Sequence, residues 1–204
     1  MLWDLHEVVF TRSLFHWIYL FFTYQHKWEV IRSLDWHIIS LCFRYFLHVA
    51  HIKRAELTSQ ELIDYARTKK LDRVIELVIR IACDYKPIPE VVAIIRTLHE
   101  QGYTQYIGSN IGIDVYNQFK KQYPTVFSYF DGAQIVHYKN GRLIKKPNPQ
   151  FFIAFLETCY VRAEQVLFID DKSYNVIAAK QVGMHAIQFK NAEQLTQELQ
   201  KYLC

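Results

Sequence analysis

The chain is poor in residues that break or loosen a fold. Six Gly and five Pro in 204 residues exclude collagen-like and low-complexity architectures. The four cysteines, Cys42, Cys83, Cys159 and Cys204, lie far apart and form no C-x-x-C pair. No secretory signal is visible: the first charges are Asp4 and Glu7, and no Ala-x-Ala site follows. The thiols are therefore expected to be free in a reducing cytoplasm. No long apolar run occurs either. In the most aromatic region the longest stretch without Asp, Glu, Lys or Arg is Ser13 to His26, short of the roughly 20 apolar residues a spanning helix needs, so no transmembrane segment is expected. Charge is nearly balanced. Lys and Arg number 24 against 20 Asp and Glu, a net +4. Residues 1–85 hold 11 against 10, and residues 86–204 hold 13 against 10. Neither half is basic enough to imply nucleic acid as a partner.

What is present is the make-up of a globular protein: 51% hydrophobic and 22% charged residues, which excludes disorder. A length of 204 residues suits one domain, or one domain with an insertion. Aromatics reach 16%, and eleven of them fall within residues 15–46.

The pattern changes along the chain. Met1–Leu5 reads as a short strand. From Ser13 to about Cys83 the periodicity is helical, with Leu57, Leu62, Ile63 and Ala66 at helical spacing, then Leu71, Val74, Ile75, Val78 and Ile79. Thr58-Ser-Gln-Glu61 is a capping box. After Lys86-Pro-Ile-Pro89 strands and helices alternate. Helices are expected at Glu90–Gln101, Ile113–Gln122, Pro149–Cys159, Tyr174–Gln181 and Ala192–Leu203. Strands are expected at Tyr103–Gly108, at Gln134–His137 followed by a turn at Asn140-Gly141, at Gln165–Ile169 and at Ala186–Phe189. Such alternation calls for an α/β fold, a Rossmann-like parallel sheet with helices on both faces. The expected division is an α/β core of 1–12 and 86–204, interrupted by a helical insertion over 13–85.

In an open α/β sheet, ligands sit at the carboxyl ends of the strands. Those ends carry Asp4-Leu-His6, Ser109-Asn110 and Asp170-Asp171, the last followed by Asn175; Lys145-Lys146-Pro147 precedes the helix at Pro149. This set suits phosphoryl transfer through a carboxylate. One Asp attacks phosphorus, a divalent cation offsets the repulsion between anions, a hydroxyl and backbone N–H groups hold the phosphoryl oxygens, and a lysine balances the rest.

Taken in order, these stretches resemble the motifs of the haloacid dehalogenase superfamily, and most closely its subfamily with an α-helical cap inserted after the first motif. Val166–Gly183 is similar to the fourth motif, with its D-D-x-x-x-N core. Ile107-Gly-Ser-Asn110 resembles the second, and Lys146-Pro-Asn-Pro149 the third. With the cap, the likeness covers essentially the whole chain. It implies a Mg²⁺-dependent hydrolase, phosphatase-type, acting on a small organic phosphate monoester. Asp4 would be nucleophile and metal ligand, the backbone carbonyl of His6 a second ligand and Asp171 a third, with Asp170 and Asn175 in support. Ser109 and the Asn110 N–H would bind the phosphoryl group, and Lys146 would pair with Asp4 and the phosphate, Lys145 being the weaker candidate. A monomer or homodimer is expected.

The first motif departs from the family pattern. Its phosphatases carry Asp-x-Asp-Gly, and this chain has Asp4-Leu-His6-Glu7. The second Asp handles the leaving group's proton. His6 either replaces it, since imidazole exchanges protons near neutrality, or is a passive polar residue. Loss of the Gly puts Glu7 where a permissive backbone would help. Two further readings stand: hydrolysis of a carbon–halogen or other non-ester bond, and a catalytically silent binding or scaffold protein. Retention of Asp170, Asp171 and Asn175 favours a metal site. His48 and His51 share a helical face without an evident third ligand. The aromatic run Phe15–Tyr24 reads as cap core, with lining of an apolar substrate pocket or contact with a lipid or partner as the other reading.

Overall fold

The computed structural model describes residues 1–11, 16–33, 35, 36, 39–41 and 58–203, with backbone alone for 16–18. Leu57, His48, His51, Cys42 and Cys204 lie outside them, as does part of the Phe15–Tyr24 run.

The main sheet has β1 (Leu2–Trp3) at its centre, β4 (Tyr106–Gly108) and then β5 (Gly132–Gln134) on one side, and β8 (Leu167–Asp170) and then β9 (His185–Gln188) on the other. All neighbours are parallel, with Leu2 opposite Tyr106 and Phe168. Only two residues long, β1 holds its place because both of its side chains are fully buried. Leu2 enters a core with Phe151, Phe152, Phe155, Phe168 and Val176. Trp3 points the opposite way by strand alternation, so both faces of the sheet are covered. Gly108 permits the close approach of β4 to β1: a Cβ there would lie 2.7 Å from Leu2 Cγ. Two-stranded ladders join β2 (Phe10–Thr11) to β3 (Lys86–Pro87) and β6 (His137–Lys139) to β7 (Arg142–Ile144). The region expected as one strand at Gln134–His137 is therefore two elements, β5 in the sheet and a hairpin turning at Asn140-Gly141, both with positive φ.

The helices are α1 (His16–Thr23), α2 (Lys27–Arg32), α3 (Ser59–Thr68), α4 (Asp72–Ala82), α5 (Pro89–Glu100), α6 (Ile113–Gln122), α7 (Pro124–Phe127), α8 (Pro149–Cys159), α9 (Ser173–Gln181) and α10 (Ala192–Leu199). The capping box holds the start of α3: Glu61 Oε2 accepts from the Thr58 N–H at 2.7 Å, and Thr58 Oγ1 accepts from the Glu61 N–H. Pro149 opens α8, and the Asn148 side chain caps it by accepting from the Gln150 N–H. α5 and α9 stop before Gly102 and Gly183, both in left-handed backbone. α10 ends at Leu199, short of the expected Leu203.

Contacts divide the chain into two compact units: residues 1–11, 86–110 and 123–204, and residues 12–85 with 111–122. The second differs from the sequence division by including α6. Its Asp114 pairs with Arg67 at 2.6 Å, and the Cys83 thiol donates to the Val115 carbonyl on the same helix.

Candidate active site

The site lies within the α/β unit, at the carboxyl ends of β1, β4 and β8. Asp4 leaves β1 with its N–H donating to the Ile169 carbonyl. Its polar contacts among the described residues converge on Oδ1, which accepts from Ser109 Oγ at 2.7 Å and from the Leu5 N–H at 2.8 Å and lies 3.0 Å from Lys146 Nζ. Oδ2 is thereby left for an incoming electrophile.

Lys146, only 3% exposed, carries its ammonium between two carboxylates. Nζ is 2.6 Å from Asp170 Oδ2 and 5.2 Å from the centre of the Phe168 ring. Burial opposes its charge, but Asp170 and Asp4 outweigh burial and hold its pKa above the usual lysine value. Its backbone is fixed by Asn110, whose Oδ1 accepts from the Lys146 N–H at 2.7 Å while Nδ2 donates to the Lys146 carbonyl at 2.9 Å. Asn110 thus positions the lysine as well as standing beside Ser109.

Asp170 is completely buried. It accepts from Lys146, from the Lys172 N–H and from Asn175 Nδ2 on both oxygens. Burial pushes its carboxyl up to about 7, against the pull of Lys146. Asp171 is also raised, by burial and then by the Asp4 charge, and Lys172 Nζ pairs with it at 2.6 Å. Sequence reasoning missed Lys172. The signal was its place directly after the two acids.

One carboxylate oxygen from each of Asp4, Asp170 and Asp171 falls within a 4.8 Å cluster. Two ammonium groups, Lys146 and Lys172, face these three carboxylates. Asn175 Oδ1 is buried with no hydrogen-bond partner among the described residues. Hard oxygen donors with an uncompensated negative charge suit a small divalent cation. Since both oxygens of Asp170 are occupied, the ligand oxygens left in the set are on Asp4 and on Asp171, whose Oδ2 already pairs with Lys172.

His6 follows β1, half-buried, in a tight loop. Its ring nitrogens are not part of the carboxylate cluster. The loop closes through Glu7 N–H to the Phe10 carbonyl and Phe10 N–H to the Leu5 carbonyl. Glu7 has φ 60°, left-handed backbone that disfavours any side chain, at the position where the resemblance calls for Gly.

A family model for haloacid dehalogenase-like hydrolases matches residues 27–183, more than half of the chain. The chain belongs to the haloacid dehalogenase-like hydrolase family. The matched range starts beyond Asp4 and His6, so it covers the second to fourth motifs and not the altered first one. A sesquiterpene phosphatase of Aspergillus oryzae is 28% identical over 116 residues, 57% of this chain and 57% of that protein. The match thus spans little more than half of that relative. A haloacid dehalogenase family enzyme of Bacteroides thetaiotaomicron, solved with magnesium and inorganic phosphate, superposes with a TM-score of 0.61 at 20% identity, covering 93% of this chain and 92% of that one. The L-2-haloacid dehalogenase of Xanthobacter autotrophicus gives 0.58 at 16%, covering 98% and 81%. At such identities the two structures establish the fold that this hydrolase shares. Among its described residues no helix is long and apolar enough to cross a membrane.

Proposed function

We propose that this hydrolase is a Mg²⁺-dependent phosphatase of a small organic phosphate monoester with an apolar body, the phosphoryl group passing through Asp4. The observation that carries the reading is the fixing of Asp4 by Ser109, Leu5 and Lys146 on one oxygen, with the other oxygen left to attack. The sesquiterpene phosphatase relative and the magnesium and phosphate bound to the Bacteroides enzyme support it. An aromatic-rich insertion suits a substrate with an apolar body. The reading has the protein in a reducing cytoplasm, with Cys83 and Cys159 as free thiols, as a monomer or homodimer with an α/β core over 1–12 and 86–204, less α6, and a cap over 13–85 that α6 joins.

Asp4, Asp171 and the carbonyl of His6 would hold the cation, with Asp170 and Asn175 orienting them. When bound, Mg²⁺ offsets the charge between the phosphate and Asp4. Asp4 Oδ2 attacks phosphorus as the ester P–O bond breaks, giving a mixed anhydride on Asp4. Lys146 and Ser109 balance and bind the phosphoryl oxygens, helped by the Asn110 N–H. His6 delivers a proton to the leaving alkoxide and then accepts one from the water that hydrolyses the anhydride, so enzyme and proton count are restored.

The test is turnover of a generic aryl phosphate and of a prenyl monophosphate, with and without Mg²⁺, using Asp4→Asn as control. Mg²⁺-dependent turnover that Asp4→Asn abolishes is expected. Halide release without Mg²⁺ would instead assign the dehalogenase chemistry.

The His6-Glu7 pair favours a second reading, a silent scaffold that retains the metal site. His6→Asp with Glu7→Gly separates the two. Under the scaffold reading, wild type is inert and the double change restores turnover.

A further inference from the structure

Lys172 stands where local preference is against it. It is the N-cap of α9, in extended backbone, and its side chain makes no cap hydrogen bond. Caps favour short side chains with an oxygen acceptor, and the positive end of the helix dipole repels a cation. A residue that goes against local preference is held by tertiary contacts. Here the contact is Asp171 Oδ2, 2.6 Å from the lysine Nζ.

The two lysines of the site are not held alike. Lys146 has a side chain 1% exposed, its Nζ lies between Asp4 and Asp170, and Asn110 clamps its backbone. Withdrawing it would strand two buried carboxylates. Lys172 is anchored through its backbone instead. Its N–H donates to Asp170 Oδ1 at 2.8 Å, and its carbonyl accepts from the Asn175 and Val176 N–H groups. The side chain is 33% exposed, so a turn of its flexible four-carbon stem carries the ammonium into water while the backbone stays fixed. The ion pair that can open therefore sits on Asp171, whereas both oxygens of Asp170 are engaged. A divalent cation and an ammonium on one carboxylate repel each other, and a strongly hydrated ammonium is the one that water takes back.

We propose, resting on the Mg²⁺ reading of this site, that Lys172 is a built-in competitor for Asp171: its ammonium neutralises the cation-free site and moves into solvent when a divalent cation takes the carboxylate. The test reads Mg²⁺ binding by isothermal titration calorimetry of the whole chain at fixed pH and ionic strength, without turnover. Lys172→Met should bind Mg²⁺ about tenfold more tightly than the wild type, because affinity follows the charge of the ligand set, and Lys172→Arg within about twofold of it. Lys180→Met removes the same charge from the exposed far end of α9 and should leave the affinity unchanged. Equal affinity in wild type and Lys172→Met overturns the proposal and leaves the Mg²⁺ reading standing. Weaker binding by Lys172→Met also overturns it, since the lysine would then support Asp171 as a ligand. So does equal tightening by Lys180→Met, which would reduce the effect to net charge. Absence of Mg²⁺ binding in wild type and variants alike removes the Mg²⁺ reading, and the proposal with it. Should Lys172→Met misfold, the wild type decides. Acetylation of Lys172, followed by peptide mass spectrometry, should run severalfold faster with Mg²⁺ than without, and an unchanged rate overturns the proposal.

Discussion

Truncation of Lys146 would leave the buried carboxylates of Asp4 and Asp170 facing each other without the ammonium that now lies within 3.0 Å of both. Lys146→Met should cost about 3 kcal/mol or more of stability, read as a lower urea midpoint, with part of the loss recovered on adding Mg²⁺. Asp170 supplies a pH dependence. Burial raises its carboxyl from 3.8 to about 7, so between these values the folded state holds a proton that the unfolded chain has released. Its contribution is fully present in acid and is lost as pH rises through about 7. Asp170→Asn should flatten that part of a Tm-versus-pH profile. Glu7 stores backbone strain at φ 60°. Glu7→Gly should raise stability by about 1 kcal/mol, seen as a higher Tm, provided the Thr11 hydroxyl bond to Glu7 contributes little at the surface.

Elements decide how these residues meet. β1 and β4 approach closely because Gly108 has no side chain against Leu2. Gly108→Ala forces the two strands apart and should cost about 2 kcal/mol, measurable by chemical denaturation. Because Ser109 follows directly, turnover should fall more than stability alone explains. At this scale the sequence was only partly legible. The capping box marks the start of α3, and the Pro starts and Gly stops bound α5, α8 and α9 to within a residue or two, because those signals are local. The turn at Asn140-Gly141 is legible in the sequence, but the strand expected at Gln134–His137 is split between β5 and β6, since β5 exists only by pairing with β4 and nothing local separates it from the first strand of the hairpin.

For the whole molecule, cation binding is linked to folding. If Asp4 and Asp171 hold Mg²⁺, millimolar Mg²⁺ should raise Tm by several degrees, and Asp171→Asn should abolish the rise. An unchanged Tm in the wild type, at concentrations that support turnover, would place the cation elsewhere. The division into units also belongs to this scale. α6 looks like any other helix of the alternating region, yet it groups with α3 and α4 through Asp114 and Val115. No periodicity announces that, because an amphipathic stripe states only that a face is buried and not against what.

The sequence by itself determined the alternation of the main strands and helices after residue 86, the helix boundaries that carry caps, and which polar residues fall at strand ends. These depend on backbone propensity and hydrophobic period, which are local. Only the tertiary structure decided that Asp4 is held on Oδ1, that Lys146 lies between Asp4 and Asp170, that Asn110 clamps the lysine's backbone and that Lys172 neutralises Asp171. Each joins groups brought together by parallel pairing or by burial. Hydrogen-bond direction and desolvation have no counterpart in residue spacing until the strands are laid side by side.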